Sequence, residues 1–259
     1  MFKYQEKLSF MALFRDYEMT AQEYINFCKH FMIRLQAYDE RFKTIYSWGL
    51  TAKKSGYIKE DLSDFDEVVF KQLSRSIAYI NPDSDNKKLT LQSRNRVSFM
   101  HSFSNTNKSK DKISVSISGG VCSHAAISYT GLGGIYFNYS NDLQEQLTLS
   151  ELLDRLEFTV SVVPLLYSSI GYISFSNIVN ELDIDKKLDE IKINWITYTN
   201  RIETAEVLPD YVSYKKLPTG VIFWLSESKI TADDTEYVEK AIEVRNILAK
   251  HDLLKYNQH

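Results

Sequence analysis

Glycine and proline are scarce in this chain, nine and four among 259 residues. Glycine-rich phosphate loops are therefore not a theme of the sequence. The one glycine cluster, Gly131-Leu132-Gly133-Gly134, lacks the Gly-x-Gly-x-x-Gly spacing of a dinucleotide site and precedes strand-like sequence, so it reads as a hairpin turn. No Walker A loop and no Gly-x-Ser-x-Gly elbow occurs. Cysteine is rarer still. Cys28 and Cys122 are too few for a disulfide scaffold, which favours a reducing compartment. The five histidines (His30, His101, His124, His251 and His259) never fall three or four residues from another histidine or a cysteine, and Cys-x-x-Cys is absent. The ligand spacing of a zinc site is thus missing, and no metal or cofactor is expected.

Long apolar runs are lacking too. A membrane helix needs about 18 uncharged residues or more. The longest candidate, 158–173, contains Pro164 and several serines and reads as a helix end followed by a strand. Residues 1–7 have no apolar core behind a basic start, so no signal peptide is expected and the cytoplasm is the expected location.

Aromatics, in contrast, are plentiful, with 17 tyrosines and 14 phenylalanines, as suits packing on pleated sheets. Net charge is −3 but unevenly spread. Between Asn86 and Lys112 seven basic residues face one acid, giving +6 and leaving −9 for the remainder. A mostly acidic body with one basic ribbon bears on partners rather than on fold.

Alternating Leu8, Phe10, Ala12 and Phe14 predict an opening strand. Thr20 and Glu23 form a capping box, and Tyr24, Phe27, Cys28, Phe31, Met32 and Leu35 then make one helical stripe. Residues 42–48 fit a short strand or a packed loop. A second helix is expected from Ser63-x-x-Asp66, with Phe65, Val68, Val69, Leu73 and Ile77 on one side, ending at Asn81–Asp85. A β-meander with one wet face is expected from Val97 to Tyr139, interrupted by a polar loop over 102–110. Its strands include Ile113, Val115 and Ile117 alternating with serines, 125–129, and Ile135, Phe137 and Tyr139. Thr148 and Glu151 make a second capping box before a helix that runs to Pro164. A strand over 167–175, a polar connection over 177–190, and a strand–strand–helix unit over 191–254 complete the chain. The expected fold is α+β: antiparallel sheets covered by about four amphipathic helices. It would form one body over residues 1–259, or two similar halves of about 1–145 and 146–259.

The sequence offers three candidate sites. Cys122-Ser123-His124 offers a thiol near an imidazole, but no third orienting group can be named, and a structural role is favoured over an enzyme with a cryptic site. The basic segment 87–112 interleaves cations with Phe99, His101 and Phe103, as a nucleic-acid-binding module would. The acidic remainder would repel phosphate, and lysines guarding a sheet edge explain the ribbon better. The acidic clusters are Glu60, Asp61, Asp64, Asp66 and Glu67, and the group Glu181, Asp183, Asp185, Asp189 and Glu190. They are either solvated faces or a docking surface for a basic protein.

Two regions carry a family resemblance. The first is Met19-Thr20-Ala21-Gln22-Glu23-Tyr24 with its helix through Leu35 and the segment Phe42 to Trp48. The second is Asn194-Trp195-Ile196-Thr197-Tyr198, Leu217-Pro218-x-Gly220 before an apolar strand, and the closing helix to His251-Asp252-Leu253-Leu254. In these the chain resembles the Immunity protein 52 family of bacterial proteins that neutralise secreted polymorphic toxins. The resemblance implies a non-enzymatic cytoplasmic protein whose partner is a cognate toxin of nuclease type. Partner contacts would then fall on the acidic loops, at Glu60, Asp61, Asp64, Glu181, Asp183, Asp185, Asp189 and Glu190, and on the strands of the middle region. No cofactor and no membrane association are expected from the missing motifs and apolar runs.

Overall fold

A computed structural model describes residues 6–48, 55–74, 89–94, 98–120, 131–180 and 190–256. Among the described residues ten strands follow one hydrogen-bonded order, β3-β2-β4-β5-β6-β1-β7-β8-β10-β9, in a large, mostly antiparallel sheet that does not close, accompanied by six α-helices. The expectation of several sheets under about four helices is therefore wrong. Alternation tells which face of a strand is buried, but not which strand lies beside it. The opening strand β1 (Leu8–Arg15), expected from its alternation, takes an interior place in the order. The chain divides into two compact units, Arg15–Leu143 and Met1–Phe14 with Gln144–His259.

In the Arg15–Leu143 unit, strands β2 (Ile45–Trp48), β3 (Gly56–Ile58), β4 (Phe99–Ser104), β5 (Ile113–Gly119) and β6 (Leu132–Tyr139) pair antiparallel. Helices α1 (Ala21–Tyr38) and α2 (Phe65–Leu73) cover one face. Helix α1 starts where the sequence put it: Glu23 N–H donates to Thr20 Oγ1 at 3.2 Å and Thr20 N–H to Glu23 Oε2 at 2.7 Å. Its buried stripe holds Ile25 in place of the half-exposed Phe27. Tyr24 stacks on Phe99 with centroids 5.1 Å apart and donates its hydroxyl to the Ile117 carbonyl at 2.6 Å. Phe65 of α2 stacks on Phe103 at 5.5 Å. The cap of α2 is Asp64, not Ser63, and its carboxylate accepts from Lys59 N–H at 2.9 Å instead of capping the helix. Strand β4 runs on through Ser104, into what reads as loop. Ile77, Asn81–Asp85 and the strand expected over 125–129 lie outside the described residues.

The other unit pairs β1 with β7 (Leu165–Tyr172), β7 with β8 (Ile196–Thr199), β8 with β10 (Gly220–Trp224) and β10 with β9 (Ser213–Leu217). A short helix, α3 (Asn141–Gln146), precedes α4 (Leu149–Val162), which has the full Thr148/Glu151 capping box and stops before Pro164. Strand β7 ends at Tyr172, and 173–179 is helix α5 (Ile173–Val179) rather than more strand. Its sequence, ISFSNIV, has strand composition, but Glu6 Oε1 accepts the Ser174 N–H at 2.8 Å and helps fix a helix start there. Helix α6 (Thr235–Lys250) closes the chain, and the Ile191 N–H donates to the Leu254 carbonyl at 2.6 Å, tying the two ends of the C-terminal stretch together.

Both capping boxes satisfy two otherwise orphaned N–H groups. Thr20→Ala or Thr148→Ala is expected to cost about 1 kcal/mol each. Urea unfolding checks this: the midpoint should fall with no change in slope.

Candidate functional site

The nucleophile and metal chemistry considered for the sequence can be traced residue by residue. Among the described residues, no group of three or more His, Cys, Asp or Glu could hold a metal ion. Cys122 and His124 lie outside the described residues. Cys28 is fully buried in α1, and burial pushes its thiol up to about 12, so it has no thiolate to offer. One pair does look like a nucleophile and base: Ser47 Oγ lies 2.7 Å from His101 Nε2. Both are sealed in the core at 0% and 1% exposure, and His101 Nδ1 has no partner among the described residues, so no third group orients the ring. This is a core polar pair, and sequence reading missed it because its members are 54 residues apart.

The described members of the predicted acidic set belong to both units. Glu60 and Asp61 are exposed on the connection from β3 to α2, and Asp64 is half-exposed at the α2 cap. The Ser63 N–H, donating at 3.0 Å, is the main reason that the Asp61 carboxyl is held below its usual range. Glu190 belongs to the other unit, half-buried, with a carboxylate oxygen 3.4 Å from Arg245. Glu181, Asp183, Asp185 and Asp189 lie outside the described residues.

Arg94 pairs with Glu18 at 3.0 Å, while Lys108 and Lys110 are exposed on the β4–β5 connection. The Lys112 ammonium sits 4.5 Å from the centre of the Trp48 ring. Lys87, Lys88 and Arg96 lie outside the described residues.

What the register does assemble is a sheet face. Because α1 and α2 cover one side of β2–β6, the alternate residues point to the other. Tyr57 pairs with Tyr46, Tyr46 with Ser104, Ser104 with Ser114, and Ser114 with Asn138. In the next row Trp48 pairs with Ser102, Ser102 with Ser116, and Ser116 with Tyr136. Met100, Ser118 and Gly134 make a third row. The face has a floor of hydroxyls and an aromatic border, and none of these residues is charged. The floor is bonded within itself: Ser102 and Ser116 hydroxyls are 2.7 Å apart, Trp48 Nε1 donates to Ser104 Oγ at 2.9 Å, and Ser104 Oγ donates to the Thr106 carbonyl at 2.9 Å. Tyr136 lies across Gly134, where a Cβ would stand 2.5 Å from the tyrosine oxygen. Alternating serines did announce a wet face in the sequence. That Trp48 and Tyr136 flank it could be known only from strand pairing.

The C-terminal stretch is structural in its geometry. Trp195 is fully buried and donates Nε1–H to the Ser226 carbonyl at 2.8 Å. Tyr198 donates its hydroxyl to the Thr219 carbonyl at 2.8 Å, clamping the β9–β10 turn. At Gly220 a Cβ would stand 2.1 Å from the Thr199 carbonyl oxygen, which explains a glycine there.

Fold and site thus define a protein built on a large, mostly antiparallel sheet that does not close, with α-helices and an uncharged serine–aromatic face. No protein-family model matches the chain, and no curated protein does. Among solved structures it is similar to the Pseudomonas aeruginosa T6SS protein PA0821, with a TM-score of 0.50 and 13% identity over 96% of this chain and 73% of that one. At that identity the likeness is one of fold. Among the described residues, no helix is long and apolar enough to cross a membrane.

Proposed function

We propose that this chain is an immunity protein of a bacterial secretion-system toxin pair, which binds a cognate toxin in the cytoplasm and neutralises it without catalysis. The observation that carries the reading is the fold likeness to a T6SS protein over 96% of the chain. The resemblance of residues 19–48 and 194–254 to the Immunity protein 52 family supports it. A toxin of nuclease type fits the charge: such a protein needs a cationic surface for its substrate, and outside residues 86–112 this chain carries −9. Opposite charge speeds encounter and limits wrong partners.

Co-expression tests this reading. The protein encoded by the reading frame adjacent to this chain's gene is induced with and without the chain. Colony counts should fall when it is induced alone and return to those of an empty vector when the chain is present. Equal killing in both cultures would remove the proposal.

A further inference from the structure

The geometry points to the serine–aromatic face of β2–β6, which α1 and α2 leave uncovered and where Trp48, Ser102, Ser116 and Tyr136 are half-exposed, as the surface on which the partner protein docks, with Trp48 and Tyr136 as its anchors. The inference rests on the immunity reading and adds the place of contact. The acidic loops expected from the sequence become steering groups, and an uncharged face becomes the contact.

Four observations carry it. First, the floor is suited to losing water. A hydroxyl buried by a partner without its own hydrogen bond costs about 1–3 kcal/mol. Here Ser102 and Ser116, half-exposed, bond each other, and Ser104, already buried, both accepts from Trp48 and donates to the Thr106 carbonyl, so a partner can dry the floor without stranding them. Second, the anchors are already fixed. The Trp48 ring is held by its bond to Ser104 and by Lys112 above it, and Tyr136 lies across Gly134. A side chain that is ordered before binding loses little entropy on binding, and rigid tyrosine and tryptophan over small residues is the composition of protein-recognising surfaces. Third, among the described residues α1 and α2 both pack on the opposite face of this sheet, through contacts such as Tyr24–Phe99 and Phe65–Phe103.

The fourth is charge, and it chooses the occupant. Lys108, Lys110 and Lys112 mark the β4–β5 end of the face. The pairings Ile58–Ile45 and Tyr46–Ser104 bring the Glu60–Asp61 connection to that same end. The occupant is thus a folded protein, basic overall and so drawn to the acidic exterior, that presents groups of both signs to this mixed lysine and carboxylate end and an uncharged patch to the serine floor. A single-stranded nucleic acid fits less well. Its backbone needs cations interleaved along the strand, and the rows through Ser102, Ser116 and Ser118 have none.

The test uses the full chain and the protein of the adjacent reading frame, purified separately, with affinity and rates measured by surface-immobilised binding. Trp48→Ala and Tyr136→Ala should each weaken binding by about thirtyfold or more, mostly through faster dissociation. Ser116→Arg, which drives a charge into the floor, should abolish binding and protection. Glu60→Lys with Asp61→Lys should slow association and leave dissociation unchanged. Ile33→Ala, on the outward side of α1, should leave affinity unchanged. Thermal melting checks that each variant is folded, and Ser102→Arg supplies a second floor variant if one is not. Wild-type affinity in folded Ser116→Arg or Ser102→Arg would overturn the docking face while leaving the immunity reading intact. A wild-type chain that neither binds nor protects would remove both. A salt-dependent shift of a single-stranded oligonucleotide that is lost in Trp48→Ala and Tyr136→Ala would assign the face to nucleic acid and overturn the proposal.

Discussion

Replacing Trp195 by alanine should lower stability by about 3–5 kcal/mol, the range for truncating a buried aromatic. A domain is typically stable by only about 5–15 kcal/mol, so the variant should be near unfolding at growth temperature. The reason is the number of ties that meet at this residue. Its side chain is fully buried and heads the fully buried side chains by volume. Its indole N–H donates to the Ser226 carbonyl at 2.8 Å, its amide N–H donates to Asn194 Oδ1 at 2.9 Å, and its carbonyl accepts the Leu225 N–H at 3.1 Å. Alanine keeps the two backbone bonds but leaves a cavity and strands the Ser226 carbonyl. Trp195→Phe separates the two losses: it restores most of the volume and leaves only the unpaired carbonyl, worth about 1–3 kcal/mol. Trp224, half-buried and bonded through Nε1 to Glu227 at 3.1 Å, is the control, and its alanine variant should cost clearly less. Urea unfolding of the full chain decides. A Trp195→Ala loss below about 1 kcal/mol would mean that the core around it collapses to fill the gap.

The same residues show where sequence reading succeeds. Thr20 with Glu23 and Thr148 with Glu151 are local patterns, and each forms the cap its spacing announces. Ile113, Val115 and Ile117 alternate with serines, and their burial alternates with them. The misses are of another kind. Strand β9, SYKKL, is exposed along nearly its whole length, so it has no buried face to leave an apolar trace, and it was hidden in a turn-rich stretch. Helix α5 carries the β-branched residues of a strand, and a bond from Glu6, 168 positions away, helps set its start. The interior place of β1 depends on pairing with β7, a partner more than 150 residues on. The candidate face was legible as a wet face, yet its aromatic border exists because β2 and β4 are neighbours in the sheet and not in the chain. Period and capping are written locally; adjacency is decided by how apolar faces close on one another.

Ser47 and His101 illustrate adjacency with a measurable consequence. Acidification from pH 6.5 to pH 5 should destabilise this protein by about 2 kcal/mol through His101 alone. Burial pushes the His101 pKa down from its ordinary 6.5 to about 3. The ring is enclosed: Ser47 Oγ is 2.7 Å from Nε2, Phe103 stands edge-on with centroids 4.9 Å apart, and Nδ1 has no acceptor among the described residues. An orphaned lone pair is tolerated more often than an orphaned N–H, so the neutral ring carries its proton on Nε2 and donates it to Ser47. A second proton would have to sit on Nδ1, as a buried charge with nothing to receive it. Above pH 6.5 the imidazole is neutral in both folded and unfolded chains, and its contribution is whole. Below that value the unfolded chain takes up a proton that the folded chain refuses, and stability falls by about 1.4 kcal/mol per pH unit until the folded pKa near 3, about 5 kcal/mol in all. The window from 6.5 to 5 isolates the effect. Carboxyls held low in the fold, Glu23 by the Thr20 N–H and Asp142 by the Asp111 N–H, begin to cost stability only as pH falls toward their unfolded values of 4.5 and 3.8. His101→Gln keeps a polar group beside Ser47 but cannot titrate. Whatever its absolute stability, its urea midpoint should change less across this window than that of the wild type, by an amount worth about 2 kcal/mol. Parallel pH profiles for the two proteins would show that acid reaches the ring at little cost, and that the core around β2 and β4 opens more readily than its packing implies.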